Sequence, residues 1–214
     1  MVSPVATFRL VEERKPRLAK GIALDWRPVA AKKGAPGISF RNCTPEQEKM
    51  IAEAHTEAVR LAKEARSILT RTKVKERPGA DRFETWFGTY DKKRYATISS
   101  HFLKIRDALS KKNVVFNSDC DPRYRDAYAY VSPSNPYEIY LCNAFWKAPV
   151  LGTDCRAGVM IHEISHFYVV AETDDHVYGQ NESQDLAKTD PDNAIDNADS
   201  HEYFAENDPQ VPMT

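Results

Sequence analysis

Apolar residues recur at helical spacing twice in the first half of the chain. Ile51, Ala54, Ala58, Leu61, Ala62, Ala65, Ile68 and Leu69 form one stripe, the signature of a helix with one buried face. Thr44 stands before it as an N-cap, Pro45 takes the first helical position, and Gln47 completes a capping box, so a helix is predicted from residue 45 to about residue 73. A loop with Pro78 and Gly79 follows. Tyr95, Ile98, Phe102, Ile105 and Leu109 predict a second helix over residues 92–110. Then the period changes. Residues 114–116 read as a short strand, and residues 127–131 and 138–141 as a hairpin joined by a turn rich in Ser, Pro and Asn. Thr153 or Asp154 can cap a helix ending near Val170, and two further helical pieces are expected over 182–188 and 192–205. The tail from 208 to 214 is expected to be loose.

Residues 1–40 show no such regularity. Lys15, Arg17, Lys20, Lys32 and Lys33 make them basic, and Pro4, Pro16, Pro28, Pro36, Gly34 and Gly37 interrupt any long element. Stretches 7–11 and 22–26 could serve as edge strands. The expected organisation is a basic N-terminal extension over 1–40, lying on a single domain over 41–214. The fold class is α+β, helix-rich with a small sheet.

Composition narrows the function only by exclusion. The 214 residues are 42% hydrophobic and 29% charged, ordinary for a globular protein. A net charge of −1 gives no global field towards nucleic acid or a membrane, and no apolar run reaches the length of a membrane span. The first residues lack the apolar core of a signal peptide, so either the chain is not exported by that route or it begins after the signal. Cys43, Cys120, Cys142 and Cys155 are an even, dispersed set. They fit two disulfides in an oxidising compartment, or four thiols in a reducing one.

One stretch carries chemistry. His162-Glu163-Ile164-Ser165-His166 is an H-E-x-x-H pattern. On a helix the two imidazoles share a face and can hold one metal ion, while Glu163 projects about 100° round the axis and can reach a water on that ion. Two nitrogens suit zinc, but a catalytic zinc needs three protein ligands. Downstream candidates for the third are Glu172, Asp174, Asp175, His176, Glu182, Glu202 and Glu206. An H-E-x-x-H-x-x-G-x-x-H pattern fails, because Val169 and Glu172 occupy its Gly and last His positions. His55 and His101 stand alone on predicted helices, where a solvated or capping role is the default.

Taken with the run Thr173-Asp174-Asp175-His176-Val177-Tyr178-Gly179, the stretch resembles the aspzincins, deuterolysin-type zinc metalloproteases of zincin fold. Their H-E-x-x-H is followed by Gly-Thr-x-Asp-x-x-Tyr-Gly. Residues 86–90, 140–149 and 197–207 point to the peptidyl-Lys metalloendopeptidase branch, and the likeness covers roughly residues 40–207. The resemblance implies one zinc per chain on His162, His166 and Asp175, Glu163 as general base, Tyr178 as the phenol facing the oxyanion, and Asp199 with Glu202 as acids binding the lysine after the scissile bond. It implies a disulfide between Cys120 and Cys142. With Ser118 standing where the partner of Cys43 would be, it leaves Cys43 and Cys155 as the expected second pair. The expected partners are lysine-containing proteins or peptides. The chain's own N-terminal segment or a cognate inhibitor are further candidates for the acidic pocket, and the expected location is extracellular. Two competing readings stand beside an active secreted protease: a zinc-bound but catalytically impaired interaction protein, and a toxin or effector domain delivered by a secretion machine. One departure feeds the first of these. Glu172 replaces the family Gly, so a positive φ there would strain it.

Overall fold

The structure is a computed structural model that describes residues 32–34 and 37–211. Stretches 7–11 and 22–26 lie outside the described residues. Helix α1, Pro45–Arg71, begins as expected: Thr44 Oγ1 accepts from Gln47 N (3.3 Å), and Gln47 Oε1 accepts from Thr44 N (2.8 Å). Its buried stripe includes Ala54, Ala58, Ala62 and Ala65, small side chains that let α1 lie close to its neighbours. Those neighbours are α3, Lys92–Lys111, and the metal-motif helix α5, Arg156–His166.

Between α1 and α3 lies a helix that the periodicity did not predict, α2 over Asp81–Phe87. It has no side-chain cap at Ala80 and spans only two turns. Phe83, Trp86 and Phe87 are nevertheless fully buried. Each contributes roughly 1.5–3 kcal/mol by leaving water, which outweighs the roughly 1 kcal/mol a cap would add. Gly88 ends it at φ +75°, and a Cβ there would lie 2.3 Å from Ala187 O. Buried Arg82 reaches across and donates through Nε to Phe204 O (2.9 Å), placing its charge at the end of α8, Ala198–Glu206, where the helix dipole favours a cation.

The sheet has five strands in the order β1-β2-β3-β5-β4: β1 Lys32–Lys33, β2 Ile38–Arg41, β3 Val114–Asn117, β4 Ala129–Val131 and β5 Glu138–Leu141. The central pairs β2–β3 and β3–β5 are parallel, and the two edges are antiparallel. Residues 38–40, counted by the sequence with the extension, are therefore strand β2 inside the sheet. A parallel partner for β3 leaves no hairpin signal, because its connection runs through α1, α2 and α3. A five-residue helix, α4 over Asn143–Lys147, follows β5.

The C-terminal helices also differ from expectation. The expected helix over 192–205 is two, α7 Pro191–Ala194 and α8, broken at Ile195–Asn197 and preceded by α6, Gln180–Thr189. The tail is held at Asp208, whose backbone carbonyl accepts from Thr153 Oγ1 (3.1 Å). Among the described helices none is long and apolar enough to cross a membrane. Cys120 and Cys142 form a disulfide. Cys43 and Cys155 are both free, so the expected second bridge is not formed. Cys43 Sγ donates to Arg41 O (3.1 Å) beside the sheet, whereas Cys155 caps α5 by accepting from Gly158 N (3.2 Å).

The two lone histidines are internal. His55 is buried and donates through Nε2 to Leu109 O (2.9 Å), capping the last turn of α3. His101 Nδ1 lies 3.0 Å from His201 Nε2, and His201 Nδ1 donates to Asn197 O (2.9 Å). The tautomers follow: Nδ1–H of His201 is spent on the carbonyl, so its Nε2 accepts from His101. Burial, with Lys104 adding to it, pushes His101 down to about 4. Burial, with His101 adding to it, pushes His201 down to about 3. The unfolded chain binds these protons near pH 6.5 and the folded chain does not. The pair's stability is therefore complete above about pH 6.5 and is lost as pH falls towards 4. In an NMR titration both imidazoles should stay neutral at pH 5; a transition near 6.5 for either would contradict the pairing.

Candidate active site

All eleven residues of α5 are buried, so its chemistry is held from every side. His162 and His166, one turn apart, set their rings 4.9 Å apart at 80°. The helix stops at His166 instead of near Val170, with Phe167 leaving it in an extended conformation (ψ 131°). The chain then folds back on the last turn. Thr173 N donates to Ser165 O (3.3 Å), the Ser165 and Thr173 hydroxyls pair at 2.6 Å, and His166 Nδ1 donates to Thr173 O (2.8 Å). Had the helix continued, residues 173–175 could not return to the imidazoles.

That return delivers Asp175. Its Oδ1 lies 3.2 Å from His162 Nε2 and 3.2 Å from His166 Nε2. It is buried and accepts no aligned hydrogen bond. With the proton of His166 on Nδ1, its Nε2 presents a lone pair to the same point. Ligands about 2.0 Å from a tetrahedral zinc sit about 3.3 Å from one another, so the spacing fits a metal of that kind. Burial opposes charge on His162, but Asp175, Asp199 and Glu202 outweigh it and push its pKa up. Burial also opposes charge on Asp175, yet the two imidazoles hold it far below the carboxylate range. The field here calls for a cation.

Of the other candidate ligands, Glu202 lies by the opposite nitrogen of His162, in a second possible group with Asp199, while His176 and Glu172 turn away. His176 Nε2 turns to Asp196 Oδ2 (2.9 Å). Glu172 is exposed at φ +56°, the left-handed conformation anticipated for the family Gly, and it stays out of the metal-ligating group. The strain falls on the backbone and not on the metal set.

The remaining site residues lie around His162. Glu163 is buried, and among the described residues its carboxylate accepts no hydrogen bond; burial raises its pKa. Tyr178 stacks over His162 (6.5 Å between centroids, 15°) while half-exposed. Burial and the charge of Asp175 keep its phenol protonated. Asp199 and Glu202 both lie on the far side of His162. Nδ1 forms no aligned hydrogen bond but is 2.8 Å from Asp199 Oδ1 and 3.4 Å from Glu202 Oε2. Asp199 Oδ2 accepts from Gly179 N (2.7 Å). Asp199 thus carries a contact the sequence did not assign it: it lies against the outer face of the His162 imidazole, the position from which a carboxylate can orient such a ring.

Two further residues, Thr173 and Asn197, were given no role by the sequence, and Glu206, named there only as a possible ligand, has another. Thr173 orients His166 as described. Asn197, at the break between α7 and α8, accepts through Oδ1 from His176 N (3.0 Å) and Val177 N (3.1 Å), and Asp174 N donates to Asp196 O (2.7 Å). The segment bearing Asp175 and Tyr178 is therefore clamped to the start of α8. Glu206 accepts from Cys155 N (2.9 Å) at the start of α5. Gly158 leaves room for it there, since a Cβ would lie 2.1 Å from Glu206 Oε1. Burial, with Asp199 beside it, pushes Glu202 up to about 7; burial, with Glu202 beside it, pushes Glu206 up to about 9. The one available signal was the acid spacing 199, 202, 206, which places all three on one helix face.

Comparison with known proteins accords with this geometry. The aspzincin family, described as lysine-specific metallo-endopeptidase, matches residues 72–206. A peptidyl-Lys metalloendopeptidase of Pleurotus ostreatus is 44% identical over 81% of this chain and 99% of its own length. An extracellular protease of Aeromonas hydrophila is 44% identical over 90% of this chain; the chain spans about half of that relative, 52%. A solved structure, the zinc peptidase from Grifola frondosa, superposes with a TM-score of 0.71 at 38% identity, covering 78% of this chain and 99% of that one. With the family pattern spanning more than half its length and the signature residues gathered at one buried point, the chain belongs to the aspzincin metallo-endopeptidase family.

Proposed function

We propose that this protein is a secreted zinc endopeptidase that cuts peptide bonds on the N-terminal side of lysine. The observation that carries the reading is the convergence of His162 Nε2, His166 Nε2 and the partnerless Asp175 Oδ1. These three would hold one zinc. When bound, the ion supplies Lewis acidity, which acidifies water and polarises the scissile carbonyl. Glu163 takes the proton of the attacking water and returns it to the leaving nitrogen. Its burial and raised pKa suit a group that must do both. Tyr178 donates its phenolic proton in a hydrogen bond to the carbonyl oxygen as that oxygen gains charge. Thr173 and Asp199 keep the imidazoles turned towards the metal point.

Lysine reading rests on Asp199 and Glu202. Both are buried, with Glu206 next along the helix and, among the described residues, no Lys or Arg paired to any of the three. An alkylammonium answers that charge where a neutral side chain cannot. The extracellular location rests on the disulfide and on the named location of the Aeromonas relative. Glu172, exposed and away from the ligands, gives no support to a catalytically impaired protein.

Digestion of a denatured protein, followed by mass spectrometry of the new termini, tests the reading. Peptides beginning with Lys should dominate and disappear with a zinc chelator. New termini spread over many residue types would sink the lysine assignment; cleavage that survives chelation would sink the metal assignment.

A further inference from the structure

Away from the metal point, two arginines face a cavity with no acid in its wall. The cavity, about 350 Å³, lies between α1 and α3 and is lined by Arg66, Arg77, Tyr95, Ser99, Ser100 and Leu103, among others. Both guanidinium groups are held in place. Arg66 Nη1 donates to Ser99 O (2.9 Å) and to the Ser99 hydroxyl. Arg77 Nε donates to Thr72 O (3.3 Å), and its guanidinium carbon lies 4.5 Å from the centre of the Tyr95 ring. Tyr95 is itself pinned by its hydroxyl, which donates to Leu69 O (2.9 Å).

Neither arginine has a carboxylate at ion-pair distance among the described residues. Glu64 pairs with Arg60, Glu76 with Lys73, and Asp107, on α3, with Arg106 and Lys111. Among the described residues, the hydrogen bonds of Arg66 run through Nη1 alone, and those of Arg77 go to Thr72 O and the Tyr95 side chain, so neither guanidinium meets a carboxylate. Arg106 also repels Arg66, adding to the effect of burial in lowering its pKa. Two half-buried, prepositioned cations without a counter-charge are a cost that an anion would relieve. A guanidinium fork takes two oxygens. A carboxylate has only two to offer and is satisfied by one fork. Two forks with two adjacent serine hydroxyls call for more acceptor oxygens.

We propose that Arg66 and Arg77 form a binding site for a small tetrahedral oxyanion, phosphate or sulfate, in the cavity between α1 and α3. The two ions share the chemistry, and separate titrations rank them. The site is independent of the peptidase reading. Because both side chains are already held by the protein, little side-chain entropy remains to be lost on binding.

The test is thermal unfolding of the zinc-loaded protein in sodium phosphate, sodium sulfate or sodium chloride at one ionic strength. An oxyanion well above its dissociation constant should raise Tm by about 2–4 °C over chloride. Arg77→Gln, outside any α-helix, and Arg66→Gln, which keeps a donor for Ser99 O, should each abolish that difference. The metal centre is a second place where an anion could bind, and both substitutions leave it intact. A rise retained in the two folded variants would therefore assign the effect elsewhere and overturn the site. Equal Tm in all three salts for the unaltered protein would overturn it as well. Circular dichroism of each variant provides the folding control.

Discussion

Glu163→Gln is expected to lower kcat by about 10²–10⁴-fold while leaving the bound metal in place. The substitution preserves size at a position that is 5% exposed, so packing on α5 should survive. What it removes is a proton acceptor among residues that offer no substitute. In the proposed mechanism His162, His166 and Asp175 are given to the metal, and these three lie within ligating distance of one another. Tyr178 keeps its own proton. The ligand set contains no Glu163 oxygen, so metal content should stay within error of the unaltered protein. Elemental analysis and steady-state kinetics on one lysine peptide test this together. A variant retaining more than about a tenth of kcat would remove Glu163 from the role of general base.

The second large effect concerns Asp199. Because its Oδ1 faces His162 Nδ1 and its Oδ2 holds Gly179 N, Asp199→Asn should do two things at once. Zinc affinity should fall by about 10–100-fold, as it does when the group behind a metal-bound imidazole is changed. At saturating zinc, kcat/KM on lysine peptides should still be lower by about 10–100-fold, the loss of one charged hydrogen bond. Glu202→Gln separates the roles. Its oxygen is farther from His162, 3.4 Å against 2.8 Å, so it should affect lysine recognition more than zinc affinity. If zinc saturation restored Asp199→Asn fully, Asp199 would be a support for His162 alone and the lysine pocket would lose one of its two acids.

What could be read before folding was governed by local rules. The capping box at Thr44 and the stripe of α1 appeared where the spacing placed them, because both depend on residues three or four apart. Helix α2 and the break at Asn197 did not, because tertiary burial of Phe83, Trp86 and Phe87 and the hydrogen bonds of Asn197 outweigh weak local signals. Disulfide pairing is likewise a matter of three-dimensional approach: Cys120 and Cys142 come within 5.3 Å between Cα atoms, while Cys155 is spent capping α5.

By itself the sequence determined that His162 and His166 share one face with Glu163 close by, since an i, i+4 pair on a helix needs no information beyond its spacing. Resemblance then singled out Asp175 from seven downstream candidates. Only the tertiary structure brought Asp175 to the two imidazoles. Helix α5 stops at His166, the Ser165–Thr173 contact turns the chain back, and Asn197 clamps it to α8. It also decided that Asp199 stands behind His162. Those contacts join residues 8 to 37 apart in sequence, and hydrogen bonds across such spans exist only once several packed elements hold both partners in place.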